Sequence, residues 1–371
     1  MKKRSIYGLD LIRFAAAMLV MVYHLGFRAW VYPGYIVHAW LGVPPAVPVW
    51  GFYAASGWIG VQIFFVISGF VIANSSDGAS PFGFAAGRVR RLVPAAWICA
   101  TVALVTDLWW GVPAPRALRL WLAVMSFDPF GPWVLGQFWT LPIEIVFYGL
   151  MLTLITGDWM RHLPTIGLAM AMLSLGYLAV GGHVSPLLLL QHGCFFALGI
   201  AMWQIWKFGL SPIRLATVLV AVGGAVLQIG MARRYEAGTV PTVGTAVPLA
   251  IFAGAVAALW LSIQFNDRLH FLDRHAGVVR MLGLSTYPLY LIHVQVGGAV
   301  MAIGLRAGVA SGIAVLLGCA ASLAVALVIA ALFEPTGQRW TAALFARAGS
   351  LIAKHHGADA RMLRPTRRLA L

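Results

Sequence analysis

Two ionisable residues, Arg13 and His24, lie inside the first apolar segment of the chain, which runs roughly from Gly8 to Phe27. Charged and titratable side chains are costly in a bilayer unless they face protein or water, so such residues mark a functional site by default. The two residues are eleven positions apart in the sequence. In an α-helix this separation corresponds to a rotation of about 1100° and a rise of about 16 Å, so both side chains lie on nearly the same face. The spacing therefore predicts one helix face that can hold an anion at Arg13 and handle a proton at His24.

Three arginines occupy four positions in the segment Arg88–Arg91, next to the start of the third apolar segment. Guanidinium groups bind phosphate oxygens through paired hydrogen bonds, and a helix start adds a favourable dipole. Two interpretations are open: the arginines anchor a cytoplasmic loop, or they bind a phosphate-rich ligand. Arg13 favours the second, because it is expected on the same side of the membrane, where four cations can converge.

Glu144 is the one glutamate inside an apolar segment, and an unpaired carboxylate there must be neutralised or paired. It can pair structurally with Arg13 or another helix, or it can handle a proton or orient a substrate. The fourth apolar segment enters from the outer side at about Phe138, which places Glu144 one to two turns deep. His24 is expected about one turn from the outer end of its own segment, so the two side chains can be neighbours.

The segment Ser285–His293 begins the ninth apolar segment with several polar groups. Tyr290 and His293 lie at i and i+3 on one helix face, and Ser285 and Thr286 offer hydroxyls near the inner end. A functional histidine and a buried structural histidine are both compatible with this pattern.

Aromatic residues are frequent in the outer segments 28–56 and 112–137. Such rings form either an interfacial belt or a stacking platform for a sugar. Both readings apply to Trp30, Tyr32, Tyr35, Trp40, Trp50, Trp121, Phe130 and Trp133.

The elements that position these residues are membrane-spanning helices. The chain is 61% hydrophobic and 10% charged, with a mean hydropathy of +0.87, far from the composition of a soluble domain. A short apolar stretch, Leu118 to Phe127, is expected to be re-entrant or interfacial. Apolar runs of about 20 residues predict an all-α bundle of about ten spans, at 8–27, 57–74, 92–110, 138–156, 164–181, 187–206, 213–231, 246–264, 285–304 and 310–333.

Charge sets the predicted orientation, because lysine and arginine are enriched in cytoplasmic loops. Most of the 26 Lys and Arg residues fall on the side of the N-terminus, so both termini are predicted to be cytoplasmic. The net charge of +15 is thus mainly a topology signal, and its scatter among loops argues against nucleic-acid binding. We expect one transmembrane domain over 1–333, without a metal site, and a basic cytoplasmic tail over 334–371 that can contact anionic lipid.

Five motifs in order along nearly the whole chain resemble the membrane-bound acyltransferase 3 family, which acylates bacterial surface and secreted carbohydrates. One alone would be a weak signal, but five in sequence over ten spans are a strong one. The motifs are Gly8–Phe14 followed by His24, the second-span signature Phe64–Phe70, the pair Arg88 and Arg91, the segment Phe138–Glu144 with Phe147 and Tyr148, and Ser285–His293.

The resemblance implies an enzyme of the bacterial cytoplasmic membrane that takes an acyl group, by default acetyl, from cytoplasmic acyl-CoA. The acceptor is a hydroxyl of an exported, cell-surface or lipid-linked carbohydrate, and acyl-CoA is a substrate rather than a permanently bound cofactor. Arg13, Arg88 and Arg91 are then expected to bind the donor, with His24 as general base and Glu144 orienting it. Supporting roles are expected for Ser68, Trp139, Tyr148, Tyr287, Tyr290 and His293.

Two positions depart from the family pattern. Many members carry an acidic residue soon after the motif histidine, whereas this chain has none between Asp10 and Asp77, which leaves the acid partner of His24 open. In the fourth-span motif, Ile145 replaces a common second glutamate and Pro142 replaces a serine, and proline removes a backbone donor.

Two alternatives belong to other functional classes. A proton-coupled secondary transporter could use Arg13, His24 and Glu144 as a relay, although the sequence contains no inverted repeat. A non-catalytic subunit of a polysaccharide-export system fits the topology but leaves the intramembrane polar residues unexplained.

Overall fold

The computed structural model describes residues 6–42, 50–181, 189–237 and 244–356. Within these ranges every regular element is a helix, which confirms the predicted all-α class. A short helix, Ile36–Leu41, lies between the first two long ones. The long helical segments, α1 to α12 in chain order, are Tyr7–Val31, Gly51–Ser76, Pro81–Trp109, Ala114–Met125, Gly136–Thr156, Met160–Ala179, Gly193–Phe208, Pro212–Ala237, Ala246–Gln264, Phe271–Arg306, Ser311–Phe333 and Glu334–His356.

In the described part of the chain, nine helices are long and apolar enough to cross a membrane: α1, α2, α3, α5, α6, α8, α9, α10 and α11. The protein is therefore a multi-pass membrane protein. The span predicted at 187–206 corresponds to α7, which has 16 residues and a length of about 24 Å. Its residues from Gly193 to Gln204 are all buried, so α7 lies within the protein and is shielded from lipid.

Glycines let α2 and α7 cross in close contact. A Cβ atom on Gly69 would collide with the carbonyl oxygen of Phe196, and one on Gly199 would collide with that of Val66. Small residues at a crossing allow two backbones to approach, which is how helices associate where lipid removes the hydrophobic driving force. Both helices are mostly buried, so this crossing lies inside the bundle.

The first helix is enclosed by protein on several sides. It packs against α2, α9 and α10, and its buried residues include Arg13. The helix continues from Tyr23 into a π-helical turn, His24–Arg28, before it ends at Val31. The polar face predicted from the sequence thus points into the bundle, where the cost of its charges can be offset by partners.

Two elements lie against α3. The short apolar stretch predicted around Leu118 to Phe127 is the helix α4, and Trp97 of α3 donates a hydrogen bond to the carbonyl of Met125 at its end. The tail predicted from residue 334 begins as the helix α12, where Phe345 packs on Phe82 at 5.6 Å between ring centres. Residues 357–371 lie outside the described ranges, and the side of the membrane on which the tail lies stays a prediction.

Candidate active site

An arginine cluster occupies the end of the bundle at which α1 begins. Arg13 lies 3.7 Å from the Asp10 carboxylate, one turn earlier on the same helix, and Asp10 in turn packs against Gly283 of α10. Arg91 interacts electrostatically with both residues, and Arg280 interacts with Asp10. The structure therefore supplies Asp10 as the direct ion-pair partner of Arg13.

Arg88 belongs to the same cluster and is held by contacts with α2, α3 and α5. The predicted loop and helix start at Arg88–Arg91 are wrong, because α3 already begins at Pro81, where the Ser80 side chain caps it, and Arg88 lies about two turns inside the helix. Its guanidinium donates to the Ser75 hydroxyl at 3.2 Å and lies 5.4 and 5.6 Å from the ring centres of Phe84 and Tyr148. Cation–π contacts of this kind hold a guanidinium in place without neutralising it. Among the described residues no acceptor meets the buried Nε of Arg88. Arg13, Arg88 and Arg91 thus converge, and this Nε–H of Arg88 is available to a ligand.

Glu144 faces this cluster. It accepts a hydrogen bond of 3.0 Å from Ser68 and interacts electrostatically with Arg13 and Arg88. Tyr148, one turn further along α5, interacts with both Glu144 and Arg88. No hydrogen bond joins Glu144 to His24 within the described ranges, so the carboxylate expected to orient the histidine instead lies with the arginines.

A pair of histidines lies towards the other end of α1. The rings of His24 and His293 are 5.1 Å apart between centres, and each residue begins a π-helical turn. His293 is fully buried, with Nδ1 3.0 Å from the Leu289 carbonyl, which requires the proton on Nδ1. Its Nε2 then accepts from the Gln137 amide at 3.4 Å. Turns of this type occur frequently at functional sites.

The partner of His24 on its Nδ1 side is a tyrosine from the segment that follows α1. The Tyr35 hydroxyl lies 2.5 Å from Nδ1 of His24, and the two rings are stacked 5.5 Å apart. Sequence reasoning placed Tyr35 among the aromatic residues of the outer segments and did not connect it with His24.

Polar side chains on α5 and α10 connect the two clusters. Gln137, Thr140, Glu144 and Tyr148 follow one another at helical spacing along α5, from the histidine pair to Arg88. The Thr140 hydroxyl lies 3.2 Å from that of Tyr290, whose ring centre is 6.3 Å from that of His293. Together with α1, these two helices enclose a polar column through the bundle, which we call the core column.

Some predicted site residues join this column and others do not. Tyr287 lies beside it, and its buried hydroxyl finds no hydrogen-bond partner among the described residues. The Ser285 and Thr286 hydroxyls both donate to the Leu282 carbonyl of their own helix, which is a structural role. Trp139 is 38% exposed and contacts His192, away from the column.

The predicted aromatic group divides in the same way. Trp30 and Trp40 are buried, with the Trp30 nitrogen donating to the Leu25 carbonyl and Trp40 stacked on Trp110 at 5.3 Å. Trp50 and Phe130 are exposed, as residues of a belt or platform would be.

Gln137, Thr140 and Arg280 were missed from the sequence. Gln137 and Thr140 precede Glu144 by seven and four residues, so helical phase was a signal that could have found them. Arg280 precedes the Ser285 motif by five residues in the same helix. No group of three or more His, Cys, Asp or Glu side chains able to hold a metal ion occurs in the described ranges.

Comparison with known proteins supplies the family. The chain is 28% identical over 288 residues to the exopolysaccharide production protein ExoZ of Rhizobium meliloti, across 72% of this chain and 86% of that protein. It is 27% identical over 329 residues to nodulation protein 10 of Rhizobium leguminosarum, across 80% and 84% of the two chains.

A third relative, the peptidoglycan O-acetyltransferase OatA of Listeria monocytogenes, is 26% identical over 169 residues, which are 39% of this chain and 23% of OatA. No solved structure matches the chain. A family model described as an acyltransferase domain matches residues 6–331, a range that contains both polar clusters and the core column. The protein is therefore a member of the acyltransferase 3 family.

Proposed function

We propose that this protein is an O-acetyltransferase of the bacterial cytoplasmic membrane that transfers the acetyl group of cytoplasmic acetyl-CoA to a hydroxyl of an exported or cell-surface carbohydrate. One observation carries the proposal: the core column joins a cluster of arginines at one end to a pair of histidines at the other. Family membership supports the acyl chemistry, and the names of the relatives, which refer to exopolysaccharide and peptidoglycan, support a glycan acceptor.

The arginine cluster is the proposed site of the donor phosphates. Four arginines interact there with two carboxylates, so a positive excess remains for an anion. The Nε of Arg88 and the hydroxyl of Tyr287 are buried donors that lack partners among the described residues. Charge-assisted hydrogen bonds to phosphate would satisfy such donors.

His24 is the proposed base. It lies about 16 Å along α1 from Arg13, and an extended thiol arm following the core column would present its thioester near the imidazole. Nε2 of His24 takes the proton of the acceptor hydroxyl while the hydroxyl oxygen attacks the thioester carbonyl. The C–S bond then breaks, the thiolate leaves as CoA and takes the proton from the imidazolium, and the acetyl group remains on the carbohydrate as an ester.

The acceptor is proposed to enter beside the short helix Ile36–Leu41. A surface groove of about 620 Å³ lies there, lined by Trp109, Trp110 and Arg306, and Arg306 donates to the Trp40 carbonyl of that helix. Trp109 is 80% exposed, and an exposed indole can pack on the apolar face of a sugar ring.

Transfer of label from acetyl-CoA tests the function. Inside-out membrane vesicles are supplied with labelled acetyl-CoA, and wild type is compared with His24→Ala and with His162→Ala, an exposed histidine in the first turn of α6. We expect His24→Ala to lose about 100-fold or more of the rate of transfer to carbohydrate, and His162→Ala to keep it.

Two results would count against the proposal. Full transfer by His24→Ala would remove His24 from the mechanism. Absence of CoA-dependent transfer by correctly inserted wild type would reject the enzyme and would favour a proton relay through Arg13, His24 and Glu144.

A further inference from the structure

The reaction proposed above needs a group that hydrogen-bonds to Nδ1 of His24 and holds the imidazole in place. In this structure that group is the phenol hydroxyl of a tyrosine. The sequence has no aspartate or glutamate between Asp10 and Asp77, and Glu144 is engaged by Ser68. The position that a carboxylate occupies in hydrolase triads is filled here by the Tyr35 hydroxyl, 2.5 Å from Nδ1 of His24.

Several contacts hold Tyr35 in this place. It immediately precedes the short helix, whose Val37 is buried against Gly298 of α10, where a Cβ atom would lie 2.5 Å from the valine. The other end of the helix is tied to α10 by the hydrogen bond from Arg306 to the Trp40 carbonyl, 2.9 Å long. Because both ends of the short helix are fixed to α10, the Tyr35 side chain at its start is held in place and can orient the neighbouring His24 ring.

Charged and titratable side chains from three elements surround His24. Tyr23 and Arg28 belong to α1, Tyr35 precedes the short helix and His293 belongs to α10. Arg28 donates to the Tyr23 hydroxyl at 3.0 Å, and its guanidinium lies 5.5 Å from the Tyr35 ring centre. Burial raises the pKa of Tyr35 well above its ordinary value, so Tyr35 remains a neutral phenol whose oxygen can accept a hydrogen bond.

We propose that Tyr35 is the positioning residue of His24: its hydroxyl oxygen accepts the Nδ1–H of the imidazole and thereby leaves the Nε2 lone pair directed at the acceptor hydroxyl. This inference rests on the proposed function. A phenol oxygen that accepts from Nδ1–H orients the ring, as the buried carboxylate of a triad does, without adding a negative charge inside the membrane protein. A phenol can also donate its own proton to Nδ1, so the position of the imidazole proton is the decisive observation.

The kinetic test uses Tyr35→Phe with Tyr23→Phe as the matched control. Both changes remove one phenol hydroxyl beside the His24 ring, but that of Tyr23 accepts from Arg28. We expect Tyr35→Phe to lower kcat about 10- to 100-fold with the KM for acetyl-CoA within about twofold of wild type, because general-base catalysis contributes about 10²- to 10⁴-fold in all. Tyr23→Phe should lose less than about threefold of kcat, since its hydroxyl does not act through Nδ1.

A double variant shows whether Tyr35 acts through His24. Without the imidazole there is nothing to orient, so Tyr35→Phe combined with His24→Ala should be no slower than His24→Ala alone. A further loss in the double variant, or a kcat for Tyr35→Phe equal to that of wild type, would overturn the inference. If His24→Ala is inactive in those same assays, the proposed function still stands, whereas a fully active His24→Ala rejects the proposed base itself.

A spectroscopic readout on the unaltered protein does not depend on how any Tyr35 variant folds. Nitrogen-15 histidine NMR of the full-length protein in detergent, with the His24 signal assigned by its absence in His24→Ala, reports which ring nitrogen carries the proton. We expect the proton on Nδ1 in wild type, and a proton on Nε2 would overturn the inference.

Discussion

The arginine cluster carries more positive charge than its protein partners neutralise. Arg13, Arg88 and Arg91 interact with one another, and their carboxylate partners are Asp10 and Glu144. Like charges that are held close together disfavour the ionised state unless an opposite charge joins them. A bound anion would therefore stabilise this cluster, which is the reason for placing the donor phosphates here.

Removal of two of these arginines should weaken donor binding more than chemistry. Hydrogen bonds to charged groups contribute about 1.5–3 kcal/mol each, and about 1.4 kcal/mol is tenfold in affinity. We expect Arg88→Ala with Arg91→Ala to raise the KM for acetyl-CoA at least about tenfold, measured from initial rates in vesicles. An exposed arginine, Arg161, supplies the control change Arg161→Ala, which should leave the KM as it is.

An unchanged KM in the double variant would place the donor elsewhere. Insertion of the variant in the opposite orientation would instead show that these arginines act as topological anchors. Protease accessibility of the segment around residue 88 separates the two results.

At the scale of the helices, close crossings and π-helical turns determine where side chains meet. At the last residue of its π turn α10 crosses α11, where a Cβ atom on Gly318 would lie 2.6 Å from the carbonyl oxygen of Gly297. The turns that begin at His24 and His293 change the helical phase, and they bring one ring from each helix to the same point. The crossings hold these turns in register with the core column.

The crossing of α2 and α7 should be sensitive to a single methyl group. Gly199→Ala forces the two backbones apart, and such overpacking costs about 1–3 kcal/mol of unfolding free energy. The control is Gly223→Ala on α8, where a Cβ atom would meet nothing within 4 Å and the higher helix propensity of alanine favours the fold.

Thermal inactivation in detergent measures both variants. The Gly199→Ala variant should unfold at a lower temperature than wild type, and the Gly223→Ala variant should not. Equal stability of all three would show that the close crossing of α2 and α7 is not a requirement of the fold.

For the whole molecule, burial is divided between central and peripheral helices. The segments α2 and α10 are mostly buried in protein, whereas α8 and α9 expose most of their apolar surface. This distribution is expected when peripheral helices face lipid and central helices enclose polar groups that lipid would not tolerate. The core column therefore lies where the bundle shields it.

The predicted orientation can be tested with two single-cysteine changes at exposed arginines. Arg116 lies in α4 and Arg161 in the first turn of α6, on opposite sides of the membrane if both termini are cytoplasmic. A membrane-impermeant maleimide should label Arg116→Cys in spheroplasts and label Arg161→Cys only after the membrane is opened. The reverse labelling pattern would show that the topology is opposite to the predicted one, with the arginine cluster on the outer side of the membrane.

Much of the architecture follows from local sequence patterns. Runs of apolar residues predicted the all-α class and nearly all the spans, because a helix in lipid must satisfy its own backbone and cover itself with apolar side chains. The shared face of Arg13 and His24 also follows from helical periodicity alone. Both properties depend on residues close together in the chain.

The tertiary structure decided which polar groups meet. The sequence allowed Glu144 to lie beside His24, but the rotation of α5 directs Glu144 towards Ser68 and the arginines. The hydrogen-bond partner of His24 is instead Tyr35, from the segment that follows α1. These contacts join residues on different helices, and periodicity within one helix does not set its rotation against another. The sequence by itself therefore determined the spans and the polar face of α1, and only the packing of the helices decided which side chain contacts Nδ1 of His24.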